Sequence, residues 1–136
     1  MSIPIPVAVS GRGAAARGDD RYDEARVVFQ GGILGGVPAL IAQCADENDV
    51  ANALLYANER GIPVAVRSGG HDMDGNWMPH AALVVDLSRM RGITVDPGNR
   101  VVRAQPDVLL RELDAASQQH GLVVPAGPPA TPASLA

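Results

Sequence analysis

A capped helix between two short apolar runs is the feature that most constrains how this chain can fold. The runs, residues 38–44 and 63–67, each have the length of a buried strand. The helix between them begins after Asp46, whose carboxylate can accept from backbone N–H groups of the first turn, and it ends at Gly61. A strand, a helix and a strand in this order predict a parallel β-α-β core with a right-handed crossover.

Additional strands and helices after this core predict the α+β class. Residues 82–87 form a third apolar run of strand length. Residues 92–95 and 100–104 flank the turn sequence Asp-Pro-Gly-Asn, which predicts a hairpin. A second helix is expected to begin near Asp107 and to end at residues 120–121.

The two ends of the chain differ in composition from the part between them. Residues 1–18 contain prolines, glycines and an alanine run without periodicity, so we expect a flexible leader there. Residues 19–30 predict a short helix, which the next two glycines end. Residues 128–136 are rich in proline and predict an irregular tail. The domain is therefore predicted to span residues 19–127.

Charge and composition exclude nucleic acid as a partner. The chain has 136 residues, a formal net charge of −4 and only 3% aromatic residues. It therefore has neither a broad basic surface for a phosphate backbone nor the aromatic side chains that stack on bases.

The sequence also predicts the compartment. No stretch approaches the roughly 20 apolar residues of a membrane helix, so no membrane partner is expected. The first residues lack the charged leader of a signal peptide, which favours a cytoplasmic location. The single cysteine, Cys44, excludes an internal disulfide, and its place at the end of an apolar run predicts a small buried side chain.

A glycine-rich stretch directly after the second core strand is the strongest sign of a binding site. It reads Arg-Ser-Gly-Gly-His at residues 67–71 and lies where an α/β sheet presents its carboxyl edge to ligands. Backbone amides in such a turn can approach an anion closely, and Arg67 could add a positive charge. The stretch predicts an anion-binding loop.

Two alternatives to an anion site stay open at this point. Imidazole and carboxylate ligands suit several divalent ions, so His71, Asp72 and Asp74 also fit a metal site, with His80 as a further ligand. A tight turn with a solvated histidine needs no ligand at all. The stretch lacks Gly-x-Gly-x-x-Gly and no helix start follows it, which disfavours a nicotinamide-type loop or a Walker loop.

Several motifs taken together resemble one flavoprotein family. Arg-Ser-Gly-Gly-His at 67–71 is followed by Asp-Leu-Ser at 86–88 and by His-Gly-Leu at 120–122. In this order the motifs resemble the N-terminal part of the PCMH-type flavin domain of the berberine-bridge-type, FAD-linked oxidases, which belong to the vanillyl-alcohol-oxidase-like superfamily. The matching stretches are residues 22–26, 38–44, 49–63, 64–71, 83–90, 95–97 and 120–127.

The resemblance implies an FAD site with a defined set of residues. In such flavoproteins the glycine loop holds the pyrophosphate on backbone amides, and the loop histidine commonly bonds to the 8α-methyl group of the flavin. The loop corresponds here to Arg67, Ser68, Gly69, Gly70 and His71. His71 is thus the implied attachment residue.

Three more residues match positions near the cofactor of this family. Ser88 follows the third strand, and a strand-end cap is the other open interpretation of it. Pro125 and Gly127 match a segment that runs beside the flavin. The resemblance assigns neither a catalytic base nor a metal ligand to this chain.

The implied function is that of a flavin-linked oxidase that acts on an alcohol, a sugar or a related small molecule, with molecular oxygen as the electron acceptor. The chain ends before the family's second glycine-rich run and its substrate domain, so we expect an incomplete domain that is inactive alone or depends on a complementing chain. Without that half, we expect the strand faces at Leu83, Val85 and Leu87 to be partly uncovered. A flavin- or nucleotide-binding module without turnover is the alternative.

Overall fold

The computed structural model of the chain describes residues 13–26, 36–69 and 79–125. The chain divides into a first unit that ends at Met90 and a second that begins at Arg91. The first unit contains β1 (Ala14–Ala16), α1 (Tyr22–Ala25), β2 (Leu40–Gln43), α2 (Glu47–Arg60), β3 (Val64–Arg67) and β4 (Leu83–Asp86). The second contains β5 (Ile93–Asp96), β6 (Val101–Ala104) and α3 (Leu110–Gln118).

The first unit is built on a four-stranded sheet in the order β1-β2-β4-β3. Strands β2 and β3 both run parallel to β4, and β1 pairs antiparallel with β2. The predicted α+β class and the parallel core with its helix are therefore confirmed. The two strands that flank α2 do not pair with each other, however, because β4 lies between them.

The burial of the strands explains why β4 takes the central place. Leu83, Val84 and Val85 are all buried, so β4 is apolar on both faces, as a strand covered on both sides must be. In β3, by contrast, Val64 and Val66 are exposed. A strand with exposed valines suits the edge of the sheet and not its centre.

A helix packs on each face of the sheet. Helix α2 contributes Ala53, Tyr56 and Ala57 to a cluster that includes Leu83 and Val85. Helix α1 contributes Tyr22 and Ala25 to a second cluster, in which they pack with Ala15, Ile41 and Val84.

The predicted uncovering of the β4 face is wrong at two of its three positions. Leu83 is 0% exposed and Val85 is 1% exposed, because α2 packs directly over them. Leu87 lies beyond the end of the strand and is partly buried against the same cluster.

The capping residues of α2 act as predicted. The Asp46 carboxylate accepts hydrogen bonds from the N–H groups of Asn48 at 2.9 Å and Asp49 at 3.0 Å. Gly61 ends the helix with a φ of 61°, a left-handed conformation that favours glycine. Among the helices of the described residues, none is both long and apolar enough to span a membrane.

The sequence and the structure differ near the N-terminal end. The sequence predicts an unstructured leader through residue 18, whereas Ala14–Ala16 form β1 and pair with β2. Alanine side chains show no alternation of polar and apolar character, so this strand has no periodic signal in the sequence. Helix α1 lies inside the predicted helix at 19–30, and residues 27–30 lie outside the described residues.

The second unit contains the predicted hairpin and the second helix. Asp96 holds the turn between β5 and β6, because its carboxylate accepts from the backbone N–H of Asn99 at 3.1 Å and from the side-chain amide at 2.8 Å. Helix α3 begins at Leu110, later than predicted, because the Glu112 carboxylate accepts from the Leu109 N–H at 3.0 Å and fixes the cap there. The predicted domain at 19–127 thus spans parts of both units, and its boundaries stay a prediction.

The contacts of Gly13 allow a test of whether β1 belongs to the folded core. A Cβ added at this glycine would collide with the backbone oxygen of Gln43, whereas one added at Gly98 would lie 3.6 Å from an Asp96 carboxylate oxygen, an ordinary contact distance. We expect Gly13→Ala to lower the free energy of unfolding by about 1–3 kcal/mol, as overpacking does. Urea unfolding measures the change, and Gly98→Ala is the control. Equal stability of the two variants would contradict a structural role for β1.

Candidate functional site

The carboxyl ends of three parallel strands meet at one edge of the sheet. Gln43 at the end of β2 and Arg67 at the end of β3 both stand opposite Asp86, the last residue of β4. Ligands of open α/β sheets bind outside the carboxyl ends of the strands. The predicted glycine loop begins at this edge, with Ser68 and Gly69 directly after β3.

A buried ion pair between Arg67 and Asp86 joins the ends of β3 and β4. An Nη2 atom of Arg67 donates to the Asp86 carboxylate, and the Nη1 atom donates to the carbonyl oxygen of Ala25 at 2.7 Å. The guanidinium is 9% exposed and the carboxylate 0%. The positive charge of Arg67 is therefore balanced by the negative charge of Asp86.

Sequence reasoning missed the role of Asp86 and gave Arg67 a different one. It assigned the Arg67 charge to a bound anion, whereas the side chain bonds to Asp86 and Ala25. The available signal was the single carboxylate at the end of an otherwise apolar strand, since a buried aspartate requires a partner. The predicted contact of Arg67 with a cofactor stays a prediction.

Ser88 lies two residues after the end of β4, beside the beginning of the glycine loop. Its backbone N–H donates to the second carboxylate oxygen of Asp86 at 2.9 Å. This bond fixes the turn after β4 and fits the strand-end interpretation of Ser88. This hydrogen bond does not test whether Ser88 contacts a cofactor, and that contact stays a prediction. The structure thus brings Arg67, Ser68, Gly69 and Ser88 together at adjacent strand ends.

For the other four predicted site residues, a role at the cofactor stays a prediction. Gly70, His71 and Gly127 lie outside the described residues. Pro125 is exposed and belongs to the second unit.

The second unit has a concave surface of its own. A cleft of about 410 Å³ lies between the hairpin and the segment that follows α3. Its lining comprises Val95, Arg100, Val101, Val102, Ser117, Gly121, Leu122, Val123 and Val124. The segment that forms one wall leads directly into Pro125.

Most residues of the alternative metal site lie outside the part of the chain that the structure describes. Asp72 and Asp74, like His71, lie in the undescribed stretch at 70–78. His80 is described, and its Nδ1 atom accepts from the Val37 N–H at 3.1 Å. Within residues 13–26, 36–69 and 79–125, no three side chains of metal-ligating type cluster.

Cys44 is the small buried residue that the sequence predicts. It is 1% exposed and packs in the cluster under α2. Burial raises the pKa of its thiol to about 11, and the carboxylates of Asp49, Asp86 and Asp46 add to the shift. The thiol is therefore protonated at neutral pH and unsuited to nucleophilic chemistry.

A protein-family model described as an FAD binding domain matches residues 38–135. This range includes the parallel strands, the glycine loop and all but the last residue of the second unit. The chain belongs to the FAD-binding domain family. The match also extends past residue 127, where the predicted domain ends.

Individual relatives agree with the family. The FAD-linked oxidoreductase hasG of Aspergillus fumigatus is 34% identical over 119 residues, which are 88% of this chain and 25% of that protein. Berberine bridge enzyme-like 18 of Arabidopsis thaliana is 37% identical over 94 residues, or 66% of this chain and 18% of that protein. The predicted resemblance to berberine-bridge-type oxidases is confirmed.

The fold of this FAD-binding domain is also that of a solved oxidase. The crystal structure of 6-hydroxy-D-nicotine oxidase from Arthrobacter nicotinovorans superposes with a TM-score of 0.74 and 28% identity. The superposition covers 87% of this chain and 26% of that one. The chain thus spans about a quarter of the length of the oxidase and of hasG.

The raised pKa of Cys44 predicts a slow reaction with alkylating reagents. At about pH 8 the folded thiol should react with iodoacetamide far more slowly than the same thiol in urea, because the thiolate is the nucleophile. A raised folded-state pKa also means that its contribution to stability is complete below the ordinary value of 9.0 and is lost as the pH rises toward about 11. Mass spectrometry of the alkylated chain measures both rates. Equal rates in the folded and unfolded chain would contradict the buried, protonated thiol.

Proposed function

We propose that this chain is the pyrophosphate-binding part of a flavin-linked oxidoreductase that oxidises an alcohol, a sugar or a related small molecule. One observation carries the proposal: Ser68 and Gly69 begin at the carboxyl edge of three parallel strands, inside the range that matches the FAD-binding domain family. The names of the relatives support oxidation as the reaction class.

The residues at this edge fit a pyrophosphate group. Gly69 is exposed and has no side chain, so an anion can approach its backbone closely. Pairing with Arg67 neutralises Asp86, which leaves no unpaired carboxylate of that strand to repel a phosphate. We assign the pyrophosphate to the backbone of residues 67–71, in which Gly70 and His71 continue the described part of the loop.

The proposed attachment residue is His71. A bond from its imidazole to the flavin would retain the cofactor and withdraw electrons from the ring, and bound FAD supplies a hydride acceptor for the substrate. Ser88, Pro125 and Gly127 are proposed to lie beside the cofactor. Oxygen as the electron acceptor, a complementing chain and a cytoplasmic location stay predictions.

A flavin- or nucleotide-binding module without turnover is a second candidate function. The observation in its favour is that the described residues at the carboxyl edge of the sheet fit the binding of a pyrophosphate group. Ligand sites commonly bury roughly 70–90% of the ligand surface, and the residues at the β3 edge account for the pyrophosphate end alone. The two candidates share the same binding residues and differ in whether a substrate is oxidised.

Titration of the purified chain with FAD tests the proposed binding site. We expect weak binding, and we expect Gly69→Val to weaken it further by about tenfold, because a side chain there keeps the pyrophosphate from the backbone donors. Quenching of flavin fluorescence measures the affinity. Gly98→Val, in the hairpin turn of the second unit, is the matched control and should bind FAD like the unmodified chain.

Two results of this titration would contradict specific parts of the proposal. Equal affinity of Gly69→Val and the unmodified chain would show that the loop is only a turn. Micromolar or tighter binding together with peroxide release from an alcohol or sugar would show that the chain is a complete catalytic unit.

The proposed flavin attachment is tested at His71. In an intact homologous context that supplies the rest of the flavin site, we expect flavin fluorescence in the acid precipitate of the protein with His71 and its loss in His71→Ala. The fold should change little, because one loop side chain contributes little to stability. His120→Ala, which removes an exposed histidine of the second unit, is the control. Equal flavin content in His71→Ala and in the protein with His71 would contradict a bond to His71.

A further inference from the structure

The buried pair Arg67–Asp86 joins the ends of β3 and β4 to the end of α1 and to the turn after β4. Its guanidinium bonds to the Ala25 carbonyl at the end of α1, and its carboxylate bonds to the Ser88 N–H in the turn after β4. The backbone of the same two residues also joins the strand ends, because the Leu87 N–H donates to the Arg67 carbonyl at 2.8 Å and the Cys44 N–H donates to the Asp86 carbonyl at 2.8 Å. The pair thus lies at a junction of three strand ends.

Stability alone is a weak reason for a charged pair at this place. The side chains lie on the face that α1 covers, and burial removes both from water at a considerable cost in free energy. In proteins generally, replacing such a pair by apolar residues of similar volume is often neutral or stabilising. What apolar residues cannot supply are the directed bonds to Ala25 and Ser88.

The geometry points to Arg67 and Asp86 as a positioning pair for the cofactor site. Arg67 immediately precedes Ser68, the first residue of the glycine loop, and Asp86 holds the turn that contains Ser88. The pair therefore fixes the start of the loop and the Ser88 turn relative to each other. This inference rests on the proposed function, since it assigns the pair to the site that would bind the pyrophosphate.

Four variants of the full chain separate positioning from stability. Arg67→Met and Asp86→Asn each leave one charge buried without its counter-charge, so both should lower the melting temperature. The double variant Arg67→Met with Asp86→Leu removes both charges and should regain much of that loss. Arg67→Lys keeps the positive charge but loses the forked geometry of the guanidinium donors. It is the test variant if the other variants do not fold. Ile41→Val, a core change on the same face, is the control for destabilisation alone.

FAD affinity, measured well below each melting temperature, is the deciding quantity. We expect the double variant and Arg67→Lys to bind FAD about tenfold more weakly than the unmodified chain, although both are folded. Ile41→Val should bind normally. Recovery of both stability and affinity in the double variant, or normal affinity in Arg67→Lys, would overturn the positioning role.

A second readout separates this inference from the proposed function. If the unmodified chain binds no FAD, the proposed function fails, and positioning is then measured by the NMR order parameter of the Gly69 amide, which reports how firmly the start of the loop is held. A Gly69 amide that becomes more mobile in the double variant and in Arg67→Lys but not in Ile41→Val would support the positioning pair. An unchanged order parameter at Gly69 would overturn it.

Discussion

The first unit depends on the two-sided pairing of strand β4. Because β2 and β3 both pair in parallel with it, three strand ends stand at one edge of the sheet. Burial on both faces makes this arrangement possible, since α2 covers Leu83 and Val85 while α1 covers Val84. The glycine loop and the Ser88 turn become neighbours only through this pairing.

The local part of the fold could be predicted from the sequence. Asp46 and Gly61 mark the ends of α2 because caps act within one helical turn, and the Asp-Pro-Gly-Asn turn specifies the β5–β6 hairpin in the same way. Strand order could not be predicted, because apolar runs of similar length do not indicate which one is central. The exposure of Val64 and Val66 marks β3 as an edge strand, but only the structure shows that exposure.

The candidate site shows the same division between local and distant information. The position of the loop follows from its sequence, since it comes directly after a strand. The partner of Arg67 does not, because Asp86 lies 19 residues away on another strand. Without that partner an arginine beside a glycine loop predicts an anion contact. With it, the arginine belongs to the framework that holds the loop.

This assignment changes which physical forces are available to recognise an anion at the β3 edge. Arg67 and Asp86 together carry no net charge, so long-range attraction from this pair to a phosphate is small. Recognition would depend on backbone N–H groups, whose dipoles act only at close range. Close range requires a backbone without a side chain in the way and a loop whose start is held firmly. The glycines meet the first requirement, and the buried pair meets the second.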